Sequence, residues 1–171
     1  LIDANALMTV ASEQDLILRL ERRPGHYLVQ GQAMVMVWPG ERMTDALVDQ
    51  LNDSFVLGNQ RTATQDIEFL FHQLVEIAVR ALSPGINDSF TAVACVDRLG
   101  SALCRLAHRE LPSPFRFDDS GRLRLVVPGS TFAGIVDVAF NQIRQSGRSN
   151  PAVAIRMLDA IALLGGQVQP A

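Results

Sequence analysis

Apolar residues at Ile67, Leu70, Phe71, Leu74, Val75, Ala78 and Leu82 alternate with Glu68, His72, Glu76 and Arg80 on the opposite side. This spacing predicts an amphipathic helix from about Thr64 to Leu82. Ser83-Pro84-Gly85 ends it, because Pro84 disfavours the α conformation at Ser83 and a glycine readily takes positive φ. Asp88 then has the chemistry of an N-cap for a helix running to about His108. The apolar residues of that helix, including Val93, Val96, Leu99, Leu103 and Leu106, cover most of its circumference. Such a helix is central to its domain or buried by an oligomer contact. Phe132, Ile135, Val136, Ala139, Phe140 and Ile143 predict a further helix, and Asn150-Pro151 opens a last one through Met157, Leu158 and Ile161.

The first third of the chain has a shorter rhythm. A short helix over Leu1–Ala11 leads into strand-like Leu16–Leu20, then a turn at Pro24-Gly25, a strand at Tyr27–Val29, a turn at Gly31 and a strand at Ala33–Val37. Glu41–Leu51 reads as helix and Phe55–Leu57 as a returning strand. Further on, Phe115–Phe117, the turn Asp118–Gly121 and Arg122–Leu125 alternate as a β-hairpin near 115–127, expected to be an exposed ribbon. The expected class is therefore α+β. A small β barrel-sandwich-like lobe over 1–58 is followed by a mainly helical lobe over 59–171 that carries the hairpin.

Gly25-x-x-Leu28-x-x-Gly31-x-x-Met34 resembles the pattern of biotinyl and lipoyl carrier domains, which are barrel-sandwich modules. Those carriers attach their cofactor to a lysine. All 15 basic residues here are arginine, so a carrier role is excluded and no cofactor is expected.

At 171 residues and 48% hydrophobic content the chain can bury a proper core, and its net charge is -3. That balance, with scattered arginines, argues against nucleic acid as a partner, since phosphate backbones demand a positive field. The one dense basic spot is read at Arg122 and Arg124, on a strand face. Cys95 and Cys104 fit neither a zinc knuckle nor a disulfide framework and read as small core residues. No apolar run reaches the ~20 residues of a membrane-spanning helix. A soluble piece of a longer protein is expected.

The candidate chemistry is sparse. Glu68, His72 and Glu76 recur every four residues and resemble one half of a metal site, but no second ligand set accompanies them. A solvated helix face is the favoured reading, with no metal. Ser83 near Asp88 and His72 lacks the strand-to-helix elbow of a hydrolase nucleophile. No catalytic residue is assigned, and an enzyme is the less favoured reading. Asp66 with Arg61 and Arg80 forms either an anion site or an ion-pair network. The candidate ligand-binding residues are Arg61, Thr62, Gln65, Asp66, Arg80, Ser83, Asn87 and Asp88, with the ligand unknown.

Arg61-Thr62-x-x-Gln65-Asp66 followed by Glu76-Ile77-Ala78-x-Arg80-Ala81-Leu82-Ser83-Pro84-Gly85-Ile86-Asn87-Asp88-x-x-Thr91-Ala92 resembles the bacterial predicted-membrane-protein family DUF2254. The resemblance runs from Ile2-Asp3 through Pro24-Gly25 and Gly31 to Leu123–Pro128 and the final helices. It implies transmembrane helices ahead of a soluble domain of this kind, in the bacterial inner membrane, with no established activity. The family's proline after Asn-Asp is replaced here by Ser89, which is expected to cost rigidity and no chemistry. The implied partner is the membrane part of the same protein, and a homo-oligomer is expected. The two cysteines, which read as unpaired, favour the cytoplasmic side as the expected orientation. Two functions remain: a non-catalytic domain for assembly, gating or regulation, and a small-molecule or anion sensor or enzyme built on the arginine and aspartate residues.

Overall fold

The computed structural model describes residues 1–167. Its architecture is mixed α+β, with two compact units: Leu1–Asp66 with Pro112–Gly129, and Ile67–Leu111 with the chain from Ser130.

In the first unit, α1 (Ala4–Glu13) is capped by Asp3, whose carboxylate accepts from the Asn5 and Ala6 amides. The chain then reverses at Asp15, which adopts a φ of 50°, and enters β1 (Ile17–Leu20). Leu18 and Leu20 turn inward while Ile17 and Arg19 turn outward, the period-2 pattern of a half-buried strand. β2 (Val35–Trp38) pairs antiparallel with β1. A 3-10 turn at Gly40–Arg42 follows, and α2 (Asp45–Asp53) starts where Thr44 Oγ1 accepts from the Leu47 amide. The single helix expected over Glu41–Leu51 is thus divided by a capping threonine.

The hairpin strands β3 (Phe115–Phe117) and β4 (Leu123–Val126) complete an open sheet of order β2-β1-β4-β3. β4 runs parallel to β1, with Leu18 opposite Leu125. The expected exposed ribbon is therefore an integral half of the sheet in the first unit, not an appendage of the helices. Nor does the sheet close into the expected barrel-sandwich. Tyr27–Val29 is loop, because turns at Gly25 and Gly31, at φ of 85° and 87°, bend the backbone away from any strand. Phe55–Leu57 contributes one isolated bridge, from Phe55 to Ile2. The core beneath the sheet joins Leu7 and Ala11 of α1, Leu16, Leu18, Leu20 and Leu125, with Leu47 and Leu51 of α2.

Arg124 corrects a second expectation, that of an exposed basic spot on a strand face. It is only 5% exposed, and its guanidinium donates to Asp118 Oδ2 at 2.7 Å and to Asp15 Oδ1 at 2.8 Å. Arg42 also binds Asp15, through the carboxylate and the main-chain carbonyl. Asp118 meanwhile accepts from the Ser120 amide and hydroxyl and from the Arg122 amide. Its carboxyl is held well below the usual carboxylate range by the Ser120 hydroxyl and then by Arg124. Arg124 and Arg42 lower Asp15 in the same way. The charges on this strand are consumed in bracing the hairpin and the α1–β1 corner.

The second unit is four helices: α3 (Ile67–Ala81), α4 (Ser89–Ala107), α5 (Phe132–Ser146) and α6 (Pro151–Gly165). α4 packs against the other three, which accounts for its broad apolar circumference from within the unit. Ala92, Cys95, Val96, Leu99, Gly100, Leu103 and Leu106 are all buried. At Gly100 a β-carbon would lie 3.2 Å from Ala160 Cβ, so the missing side chain lets α4 and α6 approach closely. Asp88, Thr131 and Asn150 cap α4, α5 and α6 through side-chain bonds to the third residue onward, each satisfying one orphan amide. Ser89 does carry a bond: Asn150 Nδ2 donates to its hydroxyl at 2.6 Å, joining the starts of α4 and α6.

Candidate functional site

The first unit contains a cleft of about 400 Å³ between the 22–28 loop, the first two residues and the 55–65 segment. Arg22, Arg23, His26 and Arg61 line it, together with Thr62 and Gln65, and no aspartate or glutamate does. In a chain of net charge -3 three arginines and a histidine thus share one lining, with the Asp66 carboxylate that pairs with Arg61 close behind. Its floor and rim are apolar, with Ile2, Leu28, Met34 and Phe55 among the lining side chains.

The charged groups are held by short-range packing. Arg61 donates from both Nε, at 2.8 Å, and Nη2, at 2.6 Å, to the same Asp66 oxygen. Asp66 is 7% exposed and sits behind the cleft wall, fixing the guanidinium that faces it. The 22–28 loop closes on this pair at Gly25, where a β-carbon would meet Asp66 Oδ2 at 1.9 Å and Arg61 Nε at 3.2 Å. A φ of 85° and the absence of a side chain are both required there. Gln65 braces the opposite wall: its Oε1 accepts from the Ile2 amide and its Nε2 donates to the Ile2 carbonyl, both at 2.8 Å. Arg23 Nε donates to His26 Nε2 at 3.4 Å. Arg22 makes no hydrogen bond or ion pair among the described residues, and its donors stay available to a ligand.

The remaining sequence candidates belong to the second unit. Arg80 pairs with Glu76 one helical turn away, at 2.5 Å on an exposed face. Ser83 and Asn87 build the turn after α3: the Ser83 carbonyl accepts from the Ile86 and Asn87 amides, and the Asp88 amide reaches Ala81 O. The positive φ expected at Gly85 falls instead on Asn87, at 48°, a residue whose short polar side chain tolerates that conformation. Asp88 is committed to Thr91, accepting from its amide at 3.1 Å and its hydroxyl at 2.6 Å. These bonds hold its carboxyl below the usual range. A second hollow of about 380 Å³ lies along α3 and the turn, lined by Gln73, Glu76, Ile77, Arg80, Asp88 and Thr91 among others. It presents a single arginine, paired with Glu76, and two carboxylates, Glu76 and Asp88, on its lining, which makes it the poorer anion site.

Among the described residues no three histidine, cysteine or acidic side chains converge as metal ligands. Glu68, His72 and Glu76 are not gathered: Glu68 accepts from the Ser130 hydroxyl and Glu76 from Arg80. Cys95 is buried, Cys104 half-buried, and both are free. Sequence reasoning overlooked Arg22, Arg23 and His26. Their signal is two adjacent arginines set against a Pro-Gly turn, a pairing as dense as Arg122 and Arg124.

The family model described as "Predicted membrane protein (DUF2254)" matches residues 1–163. An uncharacterized protein of Mycobacterium bovis is 32% identical over 166 residues, covering 94% of this chain and 32% of the relative. An uncharacterized protein of Mycobacterium tuberculosis shares the same values, and a second one from that species is 40% identical over 106 residues, covering 62% of this chain and 20% of its own length. The chain thus spans about a third of the length of the relatives it matches along most of its own. No solved structure matches it. No helix among the described residues is long and apolar enough to cross a membrane. With the match extending from the first residue to 163, the chain belongs to the DUF2254 family of predicted membrane proteins.

Proposed function

We propose that this chain is a non-catalytic module of a longer inner-membrane protein, and that it regulates its membrane part by taking up a small anion in the arginine-lined cleft of the first unit. One observation carries this reading: Arg22, Arg23 and Arg61 face a common space with no carboxylate among its lining residues. Forked guanidinium donors bind phosphate and carboxylate groups in two-bond geometries that lysine cannot match. Asp66 supports the same reading by orienting Arg61 in advance, which lowers the ordering cost of binding. The free thiols of Cys95 and Cys104 support a cytoplasmic orientation.

Calorimetric titration with inorganic phosphate and with glycerol phosphate tests the proposal. Saturable binding is expected, weakened about tenfold or more in Arg22→Ala and Arg23→Ala. Arg80→Ala, in the second unit, is expected to bind as the parent does. No saturable heat with either anion, or equal binding by all three variants, would overturn the reading.

Self-association is a second role favoured by a specific feature. Ile155, Leu158 and Ile161 of α6 are 60%, 66% and 45% exposed and recur every three residues, so a second copy of α6 is the fitting partner. Light scattering of the parent and of Ile155→Glu/Leu158→Glu should show a dimer lost in the variant. A parent that stays monomeric at high concentration would end this reading.

A further inference from the structure

The rim of the arginine-lined cleft is unlike that of a site for a fully hydrated anion. Tyr27 is 89% exposed, Val56 62% and Leu57 70%, and all three line the same cleft as Arg22, Arg23 and Arg61. Isolated exposed apolar residues need no explanation, but a set surrounding one cationic pocket does. Water alone gives these side chains no reason to gather there. An interface between water and hydrocarbon does: aromatic and aliphatic groups settle at the acyl boundary, and arginines reach the phosphate layer just above it. The cleft volume of about 400 Å³ exceeds a bare phosphate and suits a substituted phosphate group with room for its ester arms.

We propose that the cleft binds the phosphodiester headgroup of an anionic phospholipid, with Tyr27, Val56 and Leu57 entering the acyl boundary around it. The proposal rests on the anion reading of the same cleft and names the source of the anion. Charge decides against a diffuse electrostatic contact. The chain carries -3 overall, so an anionic surface repels it except where the local field is reversed. Binding is therefore confined to this pocket and depends on few residues. Gly25 couples the two parts of the site: it seats the loop carrying Arg22, Arg23 and Tyr27 directly on the Arg61–Asp66 pair. Arg22, Arg23 and Tyr27 are thereby held on one loop against Arg61.

The test uses the full 171-residue chain, with its fold checked by circular dichroism, in flotation against vesicles of phosphatidylcholine alone or mixed equally with phosphatidylglycerol. Binding to the mixed vesicles and not to phosphatidylcholine is expected. Tyr27→Ser/Leu57→Ser changes only exposed side chains. It should lose vesicle binding by about tenfold or more while retaining glycerol phosphate binding in solution. Arg22→Ala/Arg23→Ala should lose both. Four results would overturn the proposal: equal binding to the two vesicle types, rim variants that float as the parent does, glycerol phosphate binding with no flotation, or neither form of binding. The third leaves the anion reading standing with a soluble ligand, whereas the fourth removes both.

Discussion

Gly25 and Gly31 offer a matched pair of perturbations. Their φ values are 85° and 87°, so replacing either with alanine imposes nearly the same left-handed strain, about 1–2 kcal/mol. Their surroundings differ completely. A β-carbon at Gly31 meets nothing within 4 Å, whereas one at Gly25 would lie 1.9 Å from Asp66 Oδ2 and 2.7 Å from its carboxyl carbon. Relief requires the Asp66 oxygen to retreat by more than about 1 Å. The bonds it receives from Arg61 at 2.6 and 2.8 Å do not survive such a shift. Charge-assisted bonds are worth about 1.5–3 kcal/mol, and since the Arg61 side chain is 37% exposed the lower end applies. Gly25→Ala should therefore cost about 3 kcal/mol and Gly31→Ala about 1–2 kcal/mol. Trp38, the only tryptophan, lies on β2 of the same unit, so its fluorescence during urea unfolding reports this unit directly. Gly25→Ala should also weaken glycerol phosphate binding, and Gly31→Ala should not. Equal midpoints for the two variants, or a Gly25→Ala variant as stable as the parent, would refute the clamping role of Gly25.

Three further outcomes are expected. Asp15 and Asp118 hold their carboxyls below the ordinary value of 3.8 in the fold, so the unfolded chain takes up protons first as the pH falls. Their contribution is complete above about pH 4 and declines as acid titrates the folded carboxylates. Acid unfolding followed at Trp38 should therefore have a shallower limb in Asp118→Asn, and an identical limb would contradict the pairing. Asn150→Ala removes the cap on Val153 and the bond to Ser89 and should cost about 1–2 kcal/mol, against about 1 kcal/mol for Ser89→Ala. Thermal scans that rank these two the other way would argue against the α4–α6 tie. Leu99→Ala, fully buried in the core of the second unit, should cost about 2–5 kcal/mol by chemical denaturation; a loss under ~1 kcal/mol would mean that α4 is not central.

Helical periodicity over 67–81 and 89–107 was enough to place α3 and α4, because each of these helices keeps its apolar stripe against neighbours in its own unit. The cap at Asp88 and the Asn150-Pro151 start were legible for the same local reason. The sheet was not. β1 and β4 pair in parallel across more than a hundred residues of intervening chain, Leu18 with Leu125, and no local pattern encodes which strand lies beside which. Alternation also misassigned Arg124. In a hairpin with one wet face its position reads as solvent-facing, but an inner strand has neighbours on both edges, and Asp15 and Asp118 meet the guanidinium there. Arg42 joins the same aspartate from the 3-10 turn.

The candidate site divides along a similar line. Ser83, Asn87 and Asp88 belong to the string that most clearly identifies the family, yet they are bonded as a tight turn and a helix cap. A distinctive motif thus marks a constraint on backbone geometry here, with the Asp88 carboxylate committed to Thr91. Arg61 and Thr62 face the cleft, and Arg61 keeps its guanidinium oriented by a buried carboxylate. The residues that complete the cleft, Arg22, Arg23 and His26, come from a loop whose apolar Tyr27–Val29 segment invited a strand. Treated as a strand, that segment would send alternate side chains to opposite faces. Released as a loop and pinned at Gly25 against Asp66, it can present its arginines and Tyr27 to one space. The same backbone feature that defeats the barrel therefore creates the cleft.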